Sequence, residues 1–204
     1  MNQIDYIEVD LLDFRLGLTE LLSAHGKIDQ ETNRLINTVI AETKYRAQKE
    51  ALKTYVEEGI QMSHADLIKE EHRSKKLGEF LQTAGYSRPD QNFEAHALVS
   101  GGHKRSVIAR DILAQFNIRI DDPANGLWLP NFKRNLKFYP QYQYAHRPLH
   151  NKTYYLNITA CLEQAMSASH ARAILRRVAQ GLINGSISIN RRMRAREIME
   201  FVNG

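Results

Sequence analysis

The sequence predicts a mostly helical α+β chain, and three observations carry that expectation. Apolar residues recur at helical spacing through the first ninety residues and again through the C-terminal part of the chain. Between these regions, residues 93–99 and 127–129 read as short strands bounded by Gly and Asn turns. The turn-rich run Tyr86-Ser87-Arg88-Pro89-Asp90-Gln91-Asn92 is the best boundary in the chain. It divides a helical N-terminal unit, residues 1–88, from a second domain, residues 89–204.

In order, Asp10 caps a first helix carrying Leu11, Phe14, Leu18 and Leu21, and Gly26 stops it. Asp29 caps a longer one with Leu35, Val39, Leu52, Tyr55 and Val56, ending near Gly59. Ser63-His64-Ala65-Asp66 resembles a capping box, and Leu67, Ile68, Leu77, Phe80 and Leu81 continue that helix to Gly85. The three form a small antiparallel unit with solvated polar faces over residues 44–53 and 69–76. His25, His64 and His72 have no partner at metal spacing and read as surface residues.

After the connector, the strand at 93–99 runs into Ser100-Gly101-Gly102. A helix over 106–116 follows, with Val107, Ile108, Ile112, Leu113 and Phe116 apolar, then the β-branched run 118–120. The turn Asp121-Asp122-Pro123-Ala124-Asn125-Gly126 feeds Leu127-Trp128-Leu129, and the two short strands 118–120 and 127–129 are expected to pair as a ribbon beneath a later helix. That helix is expected from Pro148 through Tyr155, Ile158 and Leu162 towards Met166, followed by helices over 169–182 and 190–202.

The totals narrow the class. One cysteine, Cys161, excludes an internal disulfide framework and is read as a buried apolar residue in a helix. No apolar run reaches the length of a membrane span, and no signal-like N-terminus is visible. Charge is uneven: residues 1–90 carry 12 Lys/Arg against 16 Asp/Glu, whereas residues 91–204 carry 16 against 7. A basic half joined to an acidic one suits a polyanion-binding domain with an appended element.

Candidate chemistry collects on histidines. His146 and His150 are four apart, and on one helix they would lie a turn apart on one face, a spacing that suits two ligands of one metal ion. His96, at the end of a strand, is a third candidate. In the loop 131–144, Lys133, Arg134 and Lys137 interleave with Phe138, Tyr139, Tyr142 and Tyr144, a pattern for phosphate contact and stacking that serves equally for packing over a core. Arg172, Arg176, Arg177, Arg191, Arg192, Arg194 and Arg196 give the C-terminal end a positive field, and some are expected along a nucleic-acid backbone.

Taken together, Ala95-His96, Asp121 to Pro130 with its Asn125-Gly126 turn, and His146-Arg147-Pro148-Leu149-His150 with Tyr154-Tyr155 resemble the AHH family of HNH-type nucleases. The resemblance covers roughly residues 92–185 and implies a ββα-metal core. It implies His96, His146 and His150 as metal ligands and Asn125 as backbone support. In the family pattern a second histidine follows the first and acts as general base; here that position is Ala97. The resemblance therefore implies a catalytically impaired form, either naturally disabled or with a native histidine exchanged so that a toxic protein could be made. The intactness of the remaining motif favours the exchange. His103, after the Gly-Gly loop, is a candidate partial substitute.

The expectation is a metal-dependent DNA endonuclease, of the kind found as a bacterial toxin or effector domain. Imidazole ligation suits Zn²⁺ or Ni²⁺ as bound, with Mg²⁺, Mn²⁺ or Zn²⁺ open for catalysis. DNA contacts are assigned to Lys104, Arg105, Lys133, Arg134, Arg147, Lys152, Arg176 and Arg177, with RNA an open substrate. The resemblance also implies a cognate immunity protein, a secretion-system route and action in the target-cell cytoplasm. The competing readings are a non-catalytic DNA-binding module and a helical interaction protein.

Overall fold

In the computed structural model, residues 30–204 are described, together with 17 and 20. The expected first helix (Asp10, Leu11, Phe14, Leu18, Leu21, Gly26), the cap Asp29 and His25 lie outside the described residues. The chain divides into two compact units, residues 1–54 and 55–204. Helix α1 (Gln30–Gln61) begins in the first and ends in the second, so the connector at 86–92 lies inside the second unit. Leu35 and Val39 on this helix are exposed. Among the described residues no helix is long and apolar enough to cross a membrane.

The second unit is α+β and mostly helical. Helices α2 (His64–Lys69) and α3 (Ser74–Thr83) precede strand β1 (Phe93–Ala97). Helix α4 (Val107–Gln115), strand β2 (Gly126–Pro130) and helices α5 (Lys152–Leu162), α6 (Ala168–Asn184) and α7 (Ala195–Asn203) follow. The two strands pair antiparallel, with His96 opposite Leu127 and Ala97 opposite Gly126. A side chain at 126 would drive into Leu77, its Cβ 2.6 Å from Cδ1, so the close packing of α3 on the ribbon requires glycine there.

Several sequence expectations are corrected. Residues 118–120 form no strand; the ribbon pairs β1 with β2 directly. The helix expected from residue 63 to 85 is broken at 70–73. Ser63 caps its first half through the Asp66 amide, but Glu70 leaves the helix to accept from the Arg119 guanidinium, the Ile120 amide and the Tyr55 hydroxyl. Asp121 in turn takes the Arg73 amide and the His72 ring, so a buried polar network outweighs helical continuity.

The helix expected to start at Pro148 starts at Lys152. Residues Arg147–Leu149 form a 3-10 turn, and the Asn151 side chain caps α5 by accepting the Tyr154 amide at 2.9 Å. The helix expected at 190–202 begins only at Ala195. Asn157 binds the Ser188 and Arg191 carbonyls and the Met193 amide, holding that connection out of helical form. Helix α6 closes on Gly185 at φ +81°, where glycine suits the left-handed cap.

Two apolar clusters hold the unit. The larger joins α4, α5, α6 and α7 through Leu113, Tyr154, Ile158, Leu162, Ile174, Leu175, Val178 and Ile198, with Leu98 just after β1 and Leu129 from β2. Cys161 is buried within it, and burial pushes its thiol up to about 12. Val107, Ile108 and Met166 are exposed. The smaller cluster sets Leu77 and Leu81 of α3 against Phe93, Ala95, Ala97 and Trp128.

Candidate metal centre

Alternation along β1 assigns its two faces. Phe93, Ala95 and Ala97 face α3, so Glu94 and His96 point the other way. The 3-10 turn at 147–149 then brings His146 and His150 to that side. One ring nitrogen from each of His96, His146 and His150 lies within 4.8 Å of the others, and the ring centroids of His96 lie 4.8 Å from His146 and 5.3 Å from His150. The first is buried, the second partly exposed and the third exposed, so the cluster opens to solvent on one side.

The partner of each ring selects the nitrogen that remains free. The Tyr154 hydroxyl donates to the Leu98 carbonyl at 2.8 Å, so its oxygen accepts from His96 Nε2–H at 2.9 Å. The lone pair of His96 is therefore on Nδ1. Glu94 Oε2 accepts from His146 Nδ1–H at 2.8 Å, which leaves Nε2 free. His150 Nδ1 lies 2.8 Å from the Tyr155 hydroxyl, which likewise leaves Nε2 outward. Such outer partners orient metal-binding imidazoles and fix their tautomers. Neutral imidazoles are the ligating form: burial, and then the charges of His146, His150 and His72, hold His96 well below the ordinary histidine range. Burial, with His146 and His103, lowers His150. Three nitrogen donors on an open face fit a divalent cation with coordination positions to spare.

This depression has a measurable consequence. An unfolded histidine takes its proton near pH ~6.5, whereas native His96 resists it, so the unfolded state binds more protons below that pH. The metal-free protein is expected to hold constant stability above about pH 6.5 and lose up to ~1.4 kcal/mol per pH unit below it from this ring. Denaturant titrations across pH 5–8 measure this; a stability that does not change through the acid limb contradicts it.

The Asn125 amide is fully buried beside the centre. It accepts the Val99 amide at 2.8 Å and donates to the Val99 and Ile120 carbonyls at 3.1 and 2.8 Å. It thereby ties the end of β1 to the turn leading into β2. His103 stacks on Tyr155 at 4.4 Å, and its Nδ1 accepts the Arg105 amide.

Of the cations assigned to DNA, Lys104, Arg105, Lys133, Arg134, Arg147 and Lys152 are exposed. Arg134 and Arg147 both stack on Phe132, at 4.6 and 4.4 Å. Arg176 is not a free surface cation. Its guanidinium donates to the Ala124 and Gly126 carbonyls and lies over Tyr86. Arg177 is likewise engaged, donating to the Phe201 carbonyl. Arg172 pairs with Asp122, Arg191 and Arg194 with Glu197, and Arg196 with Glu200, so much of the expected C-terminal field is neutralised locally. Arg176→Ala is expected to cost about 2–4 kcal/mol of stability while leaving the salt dependence of nucleic-acid binding unchanged. Thermal melts and binding isotherms at several salt concentrations separate the two effects.

Comparison with known proteins adds one decisive match. The model of AHH, a nuclease family of the HNH/ENDO VII superfamily with conserved AHH, matches residues 77–182, just over half of the chain. The chain belongs to the AHH nuclease family. No curated protein and no solved structure matches it.

Within this AHH nuclease, the sequence named the three imidazoles that meet but missed their supports. Glu94 shares the His96 face of β1 two residues away, a strand periodicity that could have singled it out. Tyr154 and Tyr155 carried the resemblance without being given a role; their aromatic neighbours gave no sign of which ring each hydroxyl would meet. His72, read as a surface residue, is hydrogen-bonded to buried Asp121.

Proposed function

We propose that this AHH nuclease is a metal-dependent DNA endonuclease built on a ββα-metal core, in which the β1–β2 ribbon and α5 frame the ion. The observation that carries the reading is the convergence of three imidazoles, each with one nitrogen committed to a neighbouring side chain and the other left free. His96 would hold the ion through Nδ1, and His146 and His150 through Nε2. The divalent ion, when bound, supplies a Lewis acid that draws charge from the phosphate and the leaving oxygen.

The chain's own residues do the rest. Glu94, Tyr154 and Tyr155 hold the three rings, and Asn125 fixes the backbone between the strands. Arg134 and Arg147, stacked on Phe132, keep their N–H edges available for backbone phosphates. Lys104 and Arg105 stand beside the His103–Tyr155 stack. Ala97 offers only a methyl group, and that group faces the α3 cluster rather than the imidazoles. The water's proton must go to another group in the chain, or the chain is impaired as the resemblance implies.

The biological role we propose is that of an antibacterial effector domain delivered by a secretion system into a target-cell cytoplasm and neutralised by a cognate immunity protein. The family membership and the predominance of Lys and Arg after residue 90 support that reading. The deciding experiment incubates the purified chain and its Ala97→His variant with supercoiled plasmid, and separately with structured RNA, under Mg²⁺, Mn²⁺, Zn²⁺ or Ni²⁺. Nicking of plasmid by either protein is expected. Intact DNA and RNA with both proteins folded and carrying stoichiometric metal would refute the nuclease reading, and cleavage of RNA alone would reassign the substrate.

A further inference from the structure

Hydrolysis of a phosphodiester by water needs a group that takes the water's proton. Outside the three clustered imidazoles, two of the described histidines, His103 and His72, stand near the centre, and their hydrogen bonds distinguish them. His103 accepts the Arg105 amide on Nδ1, so the neutral ring carries its proton on Nε2 and has no free lone pair. His72 is arranged the other way. Its Nδ1 lies 2.5 Å from Asp121 Oδ1, a carboxylate that also receives the Arg73 amide on both oxygens. Nδ1 therefore carries the proton, and the lone pair is on Nε2.

That Nε2 is 3.2 Å from Ser74 Oγ, and the hydroxyl donates to it. Asp121 is only 2% exposed and is held rigidly, whereas the His72 side chain is 22% exposed. This is the order of an oriented base: buried carboxylate, imidazole in the accepting tautomer, and a hydroxyl presented to its lone pair. Ser74 opens α3 and lines a cavity of about 510 Å³ whose walls also include Lys75, Arg88, Glu94 and His146. Ser74, whose hydroxyl is bonded to His72, thus borders the same cavity as His146, one of the clustered imidazoles, and Glu94 behind it. His72 is also close enough for its charge to act on His96.

We propose that His72, oriented by Asp121 and acting through the Ser74 hydroxyl, is the proton acceptor of the cleavage reaction, so that the chain is competent with alanine at 97. The inference rests on the nuclease reading above. In the step, a bond forms between the water oxygen and phosphorus while the bond from phosphorus to the leaving sugar oxygen breaks. Ser74 passes its hydroxyl proton to His72 Nε2 and takes the water's proton in its place. The leaving oxygen takes a proton from solvent, and the imidazolium returns one to solvent through its exposed edge. Neither His72 nor Ser74 lies within the segment that matches the family.

The test compares the parent chain with His72→Ala and with His72→Gln, whose amide N–H can still meet Asp121. Plasmid nicking is measured with Mn²⁺ and Mg²⁺, Zn²⁺ affinity by calorimetry, and folding by thermal melts. The parent is expected to nick DNA. Both variants should lose about 10²–10⁴-fold in rate with unchanged Zn²⁺ affinity, and free imidazole should restore part of the His72→Ala rate. Parental rates in either variant overturn the proposal, as does a loss of Zn²⁺ binding that accounts for the defect, or the absence of imidazole rescue in a folded His72→Ala protein. An inactive parent alongside an active Ala97→His variant overturns the role of His72 and leaves the nuclease reading standing. Inactivity of both, folded and metallated, overturns the two together.

Discussion

Replacing His96 by alanine is expected to abolish stoichiometric metal binding and to lower any nucleic-acid cleavage by about 10³-fold or more, the several kcal/mol that a bound Lewis acid supplies. His96 is the ring to choose because it is 1% exposed and both of its nitrogens have defined roles, one on Tyr154 and one facing the other imidazoles. Folding should survive, since the cavity left is small and the Tyr154 hydroxyl keeps its bond to the Leu98 carbonyl. Calorimetric titration with Zn²⁺ and plasmid nicking check the two halves. Retained tight binding of one equivalent of metal by a folded His96→Ala protein would refute the assignment of the centre.

The second large effect is on stability. Asn125→Ala removes an amide that satisfies three buried backbone groups, the Val99 amide and the Val99 and Ile120 carbonyls. Leaving buried donors and acceptors without partners costs ~1–3 kcal/mol each, so a total of at least about 3 kcal/mol is expected. For a chain of this size that lowers Tm by roughly 6–12 °C or more. The end of β1 should loosen with it, and hydrogen exchange at the Val99 amide should accelerate. A variant that melts with the parent would show that water replaces the amide.

The centre was legible in the sequence because its ligands are histidines, whose chemistry survives uncertainty about local structure. His146 and His150 were read as one face of a helix; a 3-10 turn brings them together instead, and the outcome for their rings is the same. The helical character of the chain was legible from apolar spacing, and so were short strands near 93–97 and 126–130, but the ribbon was expected between 118–120 and 127–129, whereas 93–97 is the strand that pairs with 126–130. What stayed hidden depends on contacts between distant residues. Nothing near Arg176 indicates that its guanidinium will meet the carbonyls of Ala124 and Gly126. The break at 70–73 is invisible for the same reason, because the groups that stabilise it, Arg119, Ile120 and Asp121, lie some fifty residues later.

The break has a consequence for modularity. The segment recognisable by family begins at Leu77, yet the carboxylate of Asp121 inside it takes its donors from Arg73 and His72, and its own amide is met by the Tyr55 hydroxyl. A fragment excised at the recognisable edge would carry a desolvated negative charge stripped of its counterparts, a loss that commonly amounts to about 3–5 kcal/mol. The inherited catalytic cassette and the thermodynamic unit therefore have different edges, and any transplant of this head onto another carrier has to be spliced upstream of Tyr55.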